Sequence, residues 1–408
     1  MKIHILGICG TFMGGLAQIL KESGHEVTGS DKQFYPPMSD HLISLNIKTF
    51  TGFSVKDMPK ADLYIIGNAL SRGNPCVELI LKNKLPFKSG PEILGEILKD
   101  REVIAISGTH GKTSVTSMIA HALTDNGENP SYLIAGIPKG FNKSWDLTES
   151  DYFVIEADEY DTAFFDKKPK FFHYKPDILI INNIEFDHAD IYKNIEEIEK
   201  NFIELIEGLP KESKIYINSS GISQSFLETI KENIKIKAKI EIFNADAKDI
   251  YEINRNITVK GLQEIISAGK VRESLNSYKG VKRRYDTIFD SESHKVIDDF
   301  AHHPTAIKET IKIANEENED VTLIVELGSN SMRKGIHDDA LIEIFKENHS
   351  YVVSASEEQQ KKFADYAEPL TGNAIKNLLQ KSNSKKTILM CGNKNFEGFQ
   401  TLILDSLI

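Results

Sequence analysis

Gly108-Thr109-His110-Gly111-Lys112-Thr113-Ser114 follows the apolar run Val103-Ile104-Ala105-Ile106 and precedes Val115–Leu123, where apolar residues recur at helical spacing. A strand, a glycine-bearing turn and a helix in that order leave backbone N–H groups and a helix N-terminus facing an anion. Lys112 then supplies a point charge for outer phosphates and Thr113 a hydroxyl for Mg²⁺, which predicts a nucleoside triphosphate site. The match to the G-x-x-x-x-G-K-[ST] form is incomplete, because its first glycine would fall at Ile106 and Gly108 stands further on.

Working outward, a chain of 408 residues exceeds the roughly 250–300 at which single cores stop growing, so several domains are expected. A hydrophobic fraction of 40% and a charged fraction of 27% describe an ordinary globular protein. The net charge of −11 excludes a polyelectrolyte nucleic-acid binder, which needs a basic stripe. Anionic ligands must therefore be held by local donors. Cys9, Cys76 and Cys391 have neither metal-site nor disulfide spacing, as in a reducing compartment. Met1–Gly7 runs straight into a strand without a basic leader, and no stretch approaches the roughly 20 apolar residues of a membrane span. A cytoplasmic protein with no membrane insertion is expected, a monomer or weak homodimer.

Short apolar strands alternate with amphipathic helices, the pattern of parallel α/β sheets. Strands are predicted at Ile3–Leu6, Val27–Gly29, Leu63–Ile66, Val103–Ile106, Phe153–Ile155, Ile178–Ile181, Ile215–Ile217, Ile240–Phe243, Lys295–Ile297, Leu323–Val325, Tyr351–Val353 and Thr387–Met390. Helices are predicted at Met13–Ser23, around Leu42, and at Ile195–Ile206, Leu262–Ile266, Val271–Tyr278, Thr305–Ala314 and Ala374–Gln380. Domains are expected over residues 1–100, 101–289 and 290–408.

Three further segments carry chemistry. Gly7-Ile8-Cys9-Gly10-Thr11-Phe12-Met13-Gly14-Gly15 follows a strand and enters a helix, and Asp31 follows the second strand, an arrangement that by itself fits a dinucleotide or another nucleotide. Glu156, Asp158 and Glu159 close one apolar strand, and Glu185, Asp187 and His188 close another. In parallel sheets ligands bind at those ends, where hard oxygens suit Mg²⁺. Asp298-Asp299-Phe300-Ala301-His302-His303-Pro304-Thr305 ends a strand in the third unit and begins a helix at Pro304.

Together these segments, with Gly29-Ser-Asp31, Tyr35-Pro-Pro-Met38, Gly67-Asn-Ala-Leu-Ser-Arg-Gly-Asn-Pro75, Glu156–Asp166 and Asn183–Asp190, resemble the Mur ligase family of peptidoglycan amide-bond ligases, nearest its peptide-recycling branch. The resemblance implies an α/β fold of three domains: Rossmann-like N-terminal, P-loop ATPase central and Rossmann-like C-terminal. It implies an ATP- and Mg²⁺-dependent ligase that joins the tripeptide L-alanyl-γ-D-glutamyl-meso-diaminopimelate to UDP-N-acetylmuramate through an acyl phosphate. A sister ligase adding free L-alanine and a non-catalytic nucleotide or UDP-sugar binder are the alternatives. A nicotinamide oxidoreductase would leave Gly108–Ser114 unexplained.

The same resemblance implies that Gly7, Gly10, Thr11, Asp31, Asn68 and Arg72 serve the UDP-sugar. It assigns Gly108, Thr109, His110, Gly111, Lys112, Thr113 and Ser114 to ATP, joined by Arg284 and, from the third domain, by Asp299 and His302. Thr113, Glu156 and His188 take metal positions, with Lys112, Glu156 and His188 as the catalytic set. Lys112 is expected on an exposed loop, so that Lys112→Ala abolishes turnover and leaves the fold intact. Three departures stand out. The family's Gly-x-His-Asn-x-x-Asn-x-x-Ala-Ala helix start survives only as Glu252-Ile-Asn-Arg-Asn256, within a stretch Lys211–Lys282 that is shorter than the family norm; Gly328 stands where the branch often has arginine; and Gly392–Gly398 is less glycine-rich than usual.

Overall fold

The structure, a computed structural model, describes residues 1–34, 38–141, 143–187, 191–318, 320–380 and 384–407. The first sheet has five parallel strands in the spatial order Lys48–Thr51, Glu26–Asp31, Lys2–Leu6, Leu63–Ile66, Phe87–Ser89. Strand order reverses beside Lys2–Leu6, and the Gly7 turn leaves from that switch point, where α/β sheets bind ligands. Leu-Tyr-Ile-Ile at 63–66 is buried throughout, as a strand covered on both faces must be. Two helices missing from the apolar pattern are fixed by their caps. Asn74 Oδ1 accepts from Cys76 N and Val77 N to start Pro75–Lys82, and a Ser89–Glu92 capping box starts Gly90–Ile97.

The second sheet has seven strands, ordered Lys239–Phe243, Lys214–Asn218, Ile178–Ile181, Glu102–Ser107, Tyr152–Glu156, Ser131–Leu133, Trp145–Asp146, with only the last pair antiparallel. Glu102–Ser107 lies between two parallel neighbours, Ile104 facing Ile178 on one side and Val154 on the other. This register delivers the phosphate loop, the acids after Tyr152–Glu156 and the asparagines after Ile178–Ile181 to one edge.

The third sheet runs Asp286–Asp290, His294–Asp299, Lys386–Cys391, Val321–Glu326, Ser350–Val353, Glu368–Pro369, parallel except for its first strand. Alternation along the strands divides its apolar residues between two cores. Ile297, Leu323, Val325 and Leu389 join Phe345 and Phe363 in one; Val296, Ile324, Ile388 and Met390 join Phe396 and Ile403 in the other.

The chain divides into two compact units. One comprises Met1–Glu185, Ile195–Asp246 and Asn254–Lys279, the other Phe186–Asn194, Ala247–Ile253 and Gly280–Ile408. In the first unit, Phe164 and Phe165 pack on the core formed by Leu6, Tyr64, Ile66, Cys76, Val77 and Ile80, with Phe165 edge-on to Phe87 at 4.9 Å. Trp145 Nε1 donates to Gln18 Oε1. The first two sheets are thereby joined by shared packing.

Leu262–Ile266 is not helical. The helix Ile250–Gly261 ends just before it, and Leu262–Ile266 forms a turn. Its apolar residues are spaced for burial rather than for a helix: Leu262 and Ile266 are both buried in that turn. Gly261 lies so close to Ile180 that a Cβ there would meet Ile180 Cδ1 at 2.2 Å. No helix among the described residues is long and apolar enough to cross a membrane.

Candidate active site

The loop between Glu102–Ser107 and the helix Lys112–Asp125 turns through two left-handed glycines, Gly108 at φ 134° and Gly111 at φ 79°. A side chain at either would collide with the neighbouring strand end: a Cβ on Gly108 meets Asn183 O at 2.8 Å, and one on Gly111 meets Asn182 Nδ2 at 2.6 Å. Asn182 and Asn183 hold the loop by polar contacts. His110 N donates to Asn183 Oδ1 at 2.8 Å, and His110 O accepts from Asn182 Nδ2 at 2.8 Å and Asn183 Nδ2 at 3.1 Å. Glu185 N donates to Thr109 Oγ1 at 2.9 Å, and His110 Nε2 is 3.6 Å from Glu185 Oε2. Asn254 is buried with its Oδ1 facing Gly111, so the surviving asparagine of the altered helix start does reach the loop.

Thr113 Oγ1 donates to Glu156 Oε2 at 3.0 Å, while Glu156 Oε1 accepts from Ala135 N at 2.6 Å. Lys112 is not exposed. It is the first residue of its helix, its side chain is 12% exposed, and Nζ donates to Gly108 O at 2.5 Å and to Glu159 Oε2 at 2.9 Å, with Asp158 Oδ1 at 3.8 Å. Burial pulls the Lys112 ammonium down, but the carboxylates of Glu159, Asp158 and Glu156 outweigh it and raise its pKa above the ordinary lysine value. The expectation that Lys112 sits exposed on a loop is corrected accordingly, and its removal would take the cation from Glu159, which is only 2% exposed. Ser114, the third residue of that helix, lies in its first turn.

At the first sheet's switch point, Gly7 adopts φ 83° and its N–H donates to Ser30 O at 2.8 Å. Asp31 Oδ2 accepts from Cys9 N at 2.8 Å and Oδ1 from Lys32 N at 2.7 Å, so this carboxylate shapes the glycine turn. Gly10 and Thr11 are exposed where the helix Thr11–Glu22 begins, without a side-chain cap. Asn68 is exposed on the adjacent strand's outgoing loop. Arg72 is bound in bidentate fashion to Glu78, Nε at 2.8 Å and Nη2 at 3.1 Å, and its hydrogen bond brings the Glu78 carboxyl down to about 2.

In the second unit Asp299 accepts from Tyr285 N and Ala301 N, each at 2.7 Å. Burial raises its carboxyl above the ordinary range, opposed by the Arg284 guanidinium. Arg284 lies 4.7 Å over the Phe300 ring, and His302 Nδ1 is 2.9 Å from Phe300 O, so Arg284, Asp299 and His302 surround one turn. His303 caps the helix Pro304–Glu317. Glu326 accepts from Lys394 N and Phe396 N, holding the Gly392–Gly398 turn. His188 lies outside the described residues, as do Tyr35, Pro36 and Pro37 of the Tyr-Pro-Pro-Met motif and Ala189 and Asp190 of the Asn183–Asp190 motif.

Comparison with known proteins decides which family builds a site of this kind. The description "Mur ligase family, catalytic domain" matches residues 2–102 and "Mur ligase middle domain" matches residues 106–279. The chain is 37% identical to the UDP-N-acetylmuramate--L-alanyl-gamma-D-glutamyl-meso-2,6-diaminoheptandioate ligase of Haemophilus influenzae, with 99% of each covered. The chain belongs to the Mur ligase family. This Mur ligase is also 40% identical to the Escherichia coli protein of the same name, over 84% of its own length and 82% of that protein. The crystal structure of a murein peptide ligase from Psychrobacter arcticus superposes with a TM-score of 0.76 at 31% identity, covering 100% of this chain and 98% of that one. The α/β Mur ligase fold expected from the sequence is the one observed, with three sheets that are mostly parallel. Asn183, Asn182 and Lys170 are functional positions to which the sequence pattern assigns no role. The Asn-Asn pair directly after a buried strand was the signal available for the first two.

Proposed function

We propose that this Mur ligase joins L-alanyl-γ-D-glutamyl-meso-diaminopimelate to UDP-N-acetylmuramate in peptidoglycan recycling, using ATP. The observation that carries this reading is the phosphate loop with Lys112 and the Thr113–Glu156 pair at one strand edge, in a unit that also contains the Gly7 turn, in a chain whose relatives carry that substrate name. Residues 1–100 would form the UDP-sugar-binding domain, 101–289, which includes Arg284, the ATP-binding domain, and 290–408, which includes Asp299 and His302, the C-terminal ligase domain.

A carboxylate is a poor acyl donor, so the lactyl carboxylate oxygen attacks the ATP γ-phosphorus. The bond to ADP breaks, and an acyl phosphate forms. The peptide amine then attacks the acyl carbon, phosphate departs and the nitrogen loses its proton. Loop N–H groups and Lys112 orient and neutralise the phosphates, which is the protein's main task in phosphoryl transfer. Thr113 Oγ1 and the Glu156 carboxylate are hard oxygens of the kind Mg²⁺ takes, and with His188 they would hold it; bound there, the ion neutralises phosphate charge. The donor set fits the metal. Incubating the protein with ATP, Mg²⁺, UDP-N-acetylmuramate and either the tripeptide or L-alanine, followed by mass spectrometry, tests the reading. The tripeptide adduct is expected, and an alanine adduct alone would replace this reading with the sister activity.

A further inference from the structure

Lys170 belongs to no motif, yet its environment is unusual. Its side chain is 5% exposed, at the start of the short helical turn Lys170–His173. Its Nζ donates to Asp158 Oδ2 at 3.1 Å and to Tyr160 Oη at 2.8 Å. The same ammonium stands 4.1 Å from the Tyr160 ring centroid and 4.9 Å from that of Phe12. The other Asp158 oxygen is the one 3.8 Å from Lys112 Nζ. One carboxylate therefore lies between two ammonium groups. One of these belongs to the phosphate loop, and the other rests on the helix that leaves the Gly7 turn.

Burying a lysine is unfavourable unless its charge is matched, and a methionine or leucine would fill the space between Phe12 and Tyr160 more simply. The charge balance supplies a reason. Glu156, Asp158 and Glu159 face Lys112 and Lys170, three acids against two cations. A triphosphate that engages Lys112 draws that cation away from Asp158. Without Lys170, Asp158 would then keep the Tyr160 hydroxyl but no cation, and its charge would repel the incoming phosphates. With Lys170 in place, Asp158 stays matched whichever anion Lys112 serves. The Phe12 contact ties the same ammonium to the turn assigned to the UDP-sugar.

We propose that Lys170 is a positioning residue that keeps Asp158 paired while Lys112 engages the triphosphate, and that links the occupancy of the two nucleotide sites through Phe12. The proposal rests on the ligase reading for the identity of the second nucleotide, but its binding arm does not need the amine substrate. Full-length wild type, Lys170→Met, Lys170→Arg and the double variant Lys170→Met/Asp158→Asn are titrated with a non-hydrolysable ATP analogue, alone and with saturating UDP-N-acetylmuramate, and kcat and KM are measured with the tripeptide. Lys170→Met is expected to bind the analogue about tenfold more weakly, since a lost charge pair of this kind is a factor of about ten or more. It should also lose any change in analogue affinity that the UDP-sugar produces in wild type, and its kcat should fall further than its KM for the UDP-sugar rises. Lys170→Arg should recover most of the loss. The double variant should bind the analogue better than Lys170→Met, because the stranded carboxylate is gone. Wild-type analogue affinity in Lys170→Met, or a loss that Asp158→Asn does not relieve and that follows a lowered melting temperature, overturns the proposal. If wild type binds both nucleotides but makes no tripeptide adduct, the substrate reading fails and the binding comparison still decides the role of Lys170.

Discussion

Replacing Lys112 with alanine perturbs the protein twice. Its ammonium is the cation 2.9 Å from Glu159 Oε2, and Glu159 is 2% exposed. Taking one partner from a buried ion pair costs about 3–5 kcal/mol, because the survivor keeps its charge and loses its cation. A stranded carboxylate takes up a proton instead once that is easier. At pH 7 this limits the loss to about 3.7 kcal/mol, from roughly 1.36 kcal/mol per pH unit above an ordinary glutamate value near 4.3. At pH 5 the same ceiling is about 1 kcal/mol. Lys112→Ala should therefore be less stable than wild type by about 3 kcal/mol at pH 7, with the deficit shrinking as pH falls. Chemical denaturation of the ligand-free protein at several pH values measures this, alongside ADP release, which should vanish. Adding Glu159→Gln should restore stability without restoring turnover. A variant as stable as wild type, or a deficit that does not change between pH 7 and pH 5, would refute the charge argument.

Four other outcomes follow from the geometry. His4 is buried between Thr28 Oγ1 and Ser30 Oγ, and burial lowers it to about 4. The unfolded chain then binds the proton more readily, so wild type should lose up to roughly 3 kcal/mol as pH falls from the ordinary histidine value near 6.5 towards 4; denaturation midpoints of His4→Gln should show a shallower acid slope. Gly108→Ala should abolish ATP use while UDP-sugar binding by calorimetry persists, since its Cβ meets Asn183 O at 2.8 Å in a left-handed conformation. Glu156→Gln should shift the half-saturating Mg²⁺ concentration upward by about tenfold, and superimposable rate curves against Mg²⁺ would remove Glu156 from the metal site. Asp31→Ala, which removes the carboxylate that accepts from Cys9 N and so loosens the Gly7 turn, should raise the KM for the UDP-sugar and spare that for ATP; equal changes in both would count against separate sites.

The order of strand, Gly-Lys-Thr and helix was legible because each element carries a local signature: an apolar run, φ-permissive glycines and helical spacing. The acids closing the strands at Glu156 and Glu185 were legible for the same reason. What Lys112 touches was not, since Glu159 is distant in sequence and the pairing depends on the register of Glu102–Ser107 with Tyr152–Glu156. Asn182, Asn183 and Lys170 act through polar contacts made across strand ends, and no periodicity marks such residues. Pro75–Lys82 and Gly90–Ile97 are short helices decided by their caps, whereas Leu262–Ile266 mimicked a helix because both its ends are buried. The antiparallel strand Asp286–Asp290 is largely half-exposed and carries only a weak apolar alternation.

Phe164 and Phe165 bear on how such ligases can be taken apart. Cutting near residue 100 would leave the amino-terminal fragment with bare apolar surface around Tyr64, Val77 and Phe87, and the remainder with two unshielded phenylalanines. Each piece would be prone to self-association. A chimera meant to exchange sugar recognition between relatives should carry the loop from Asp161 to Pro169 together with the first sheet, so that the graft follows the packing and not the linear order of the chain.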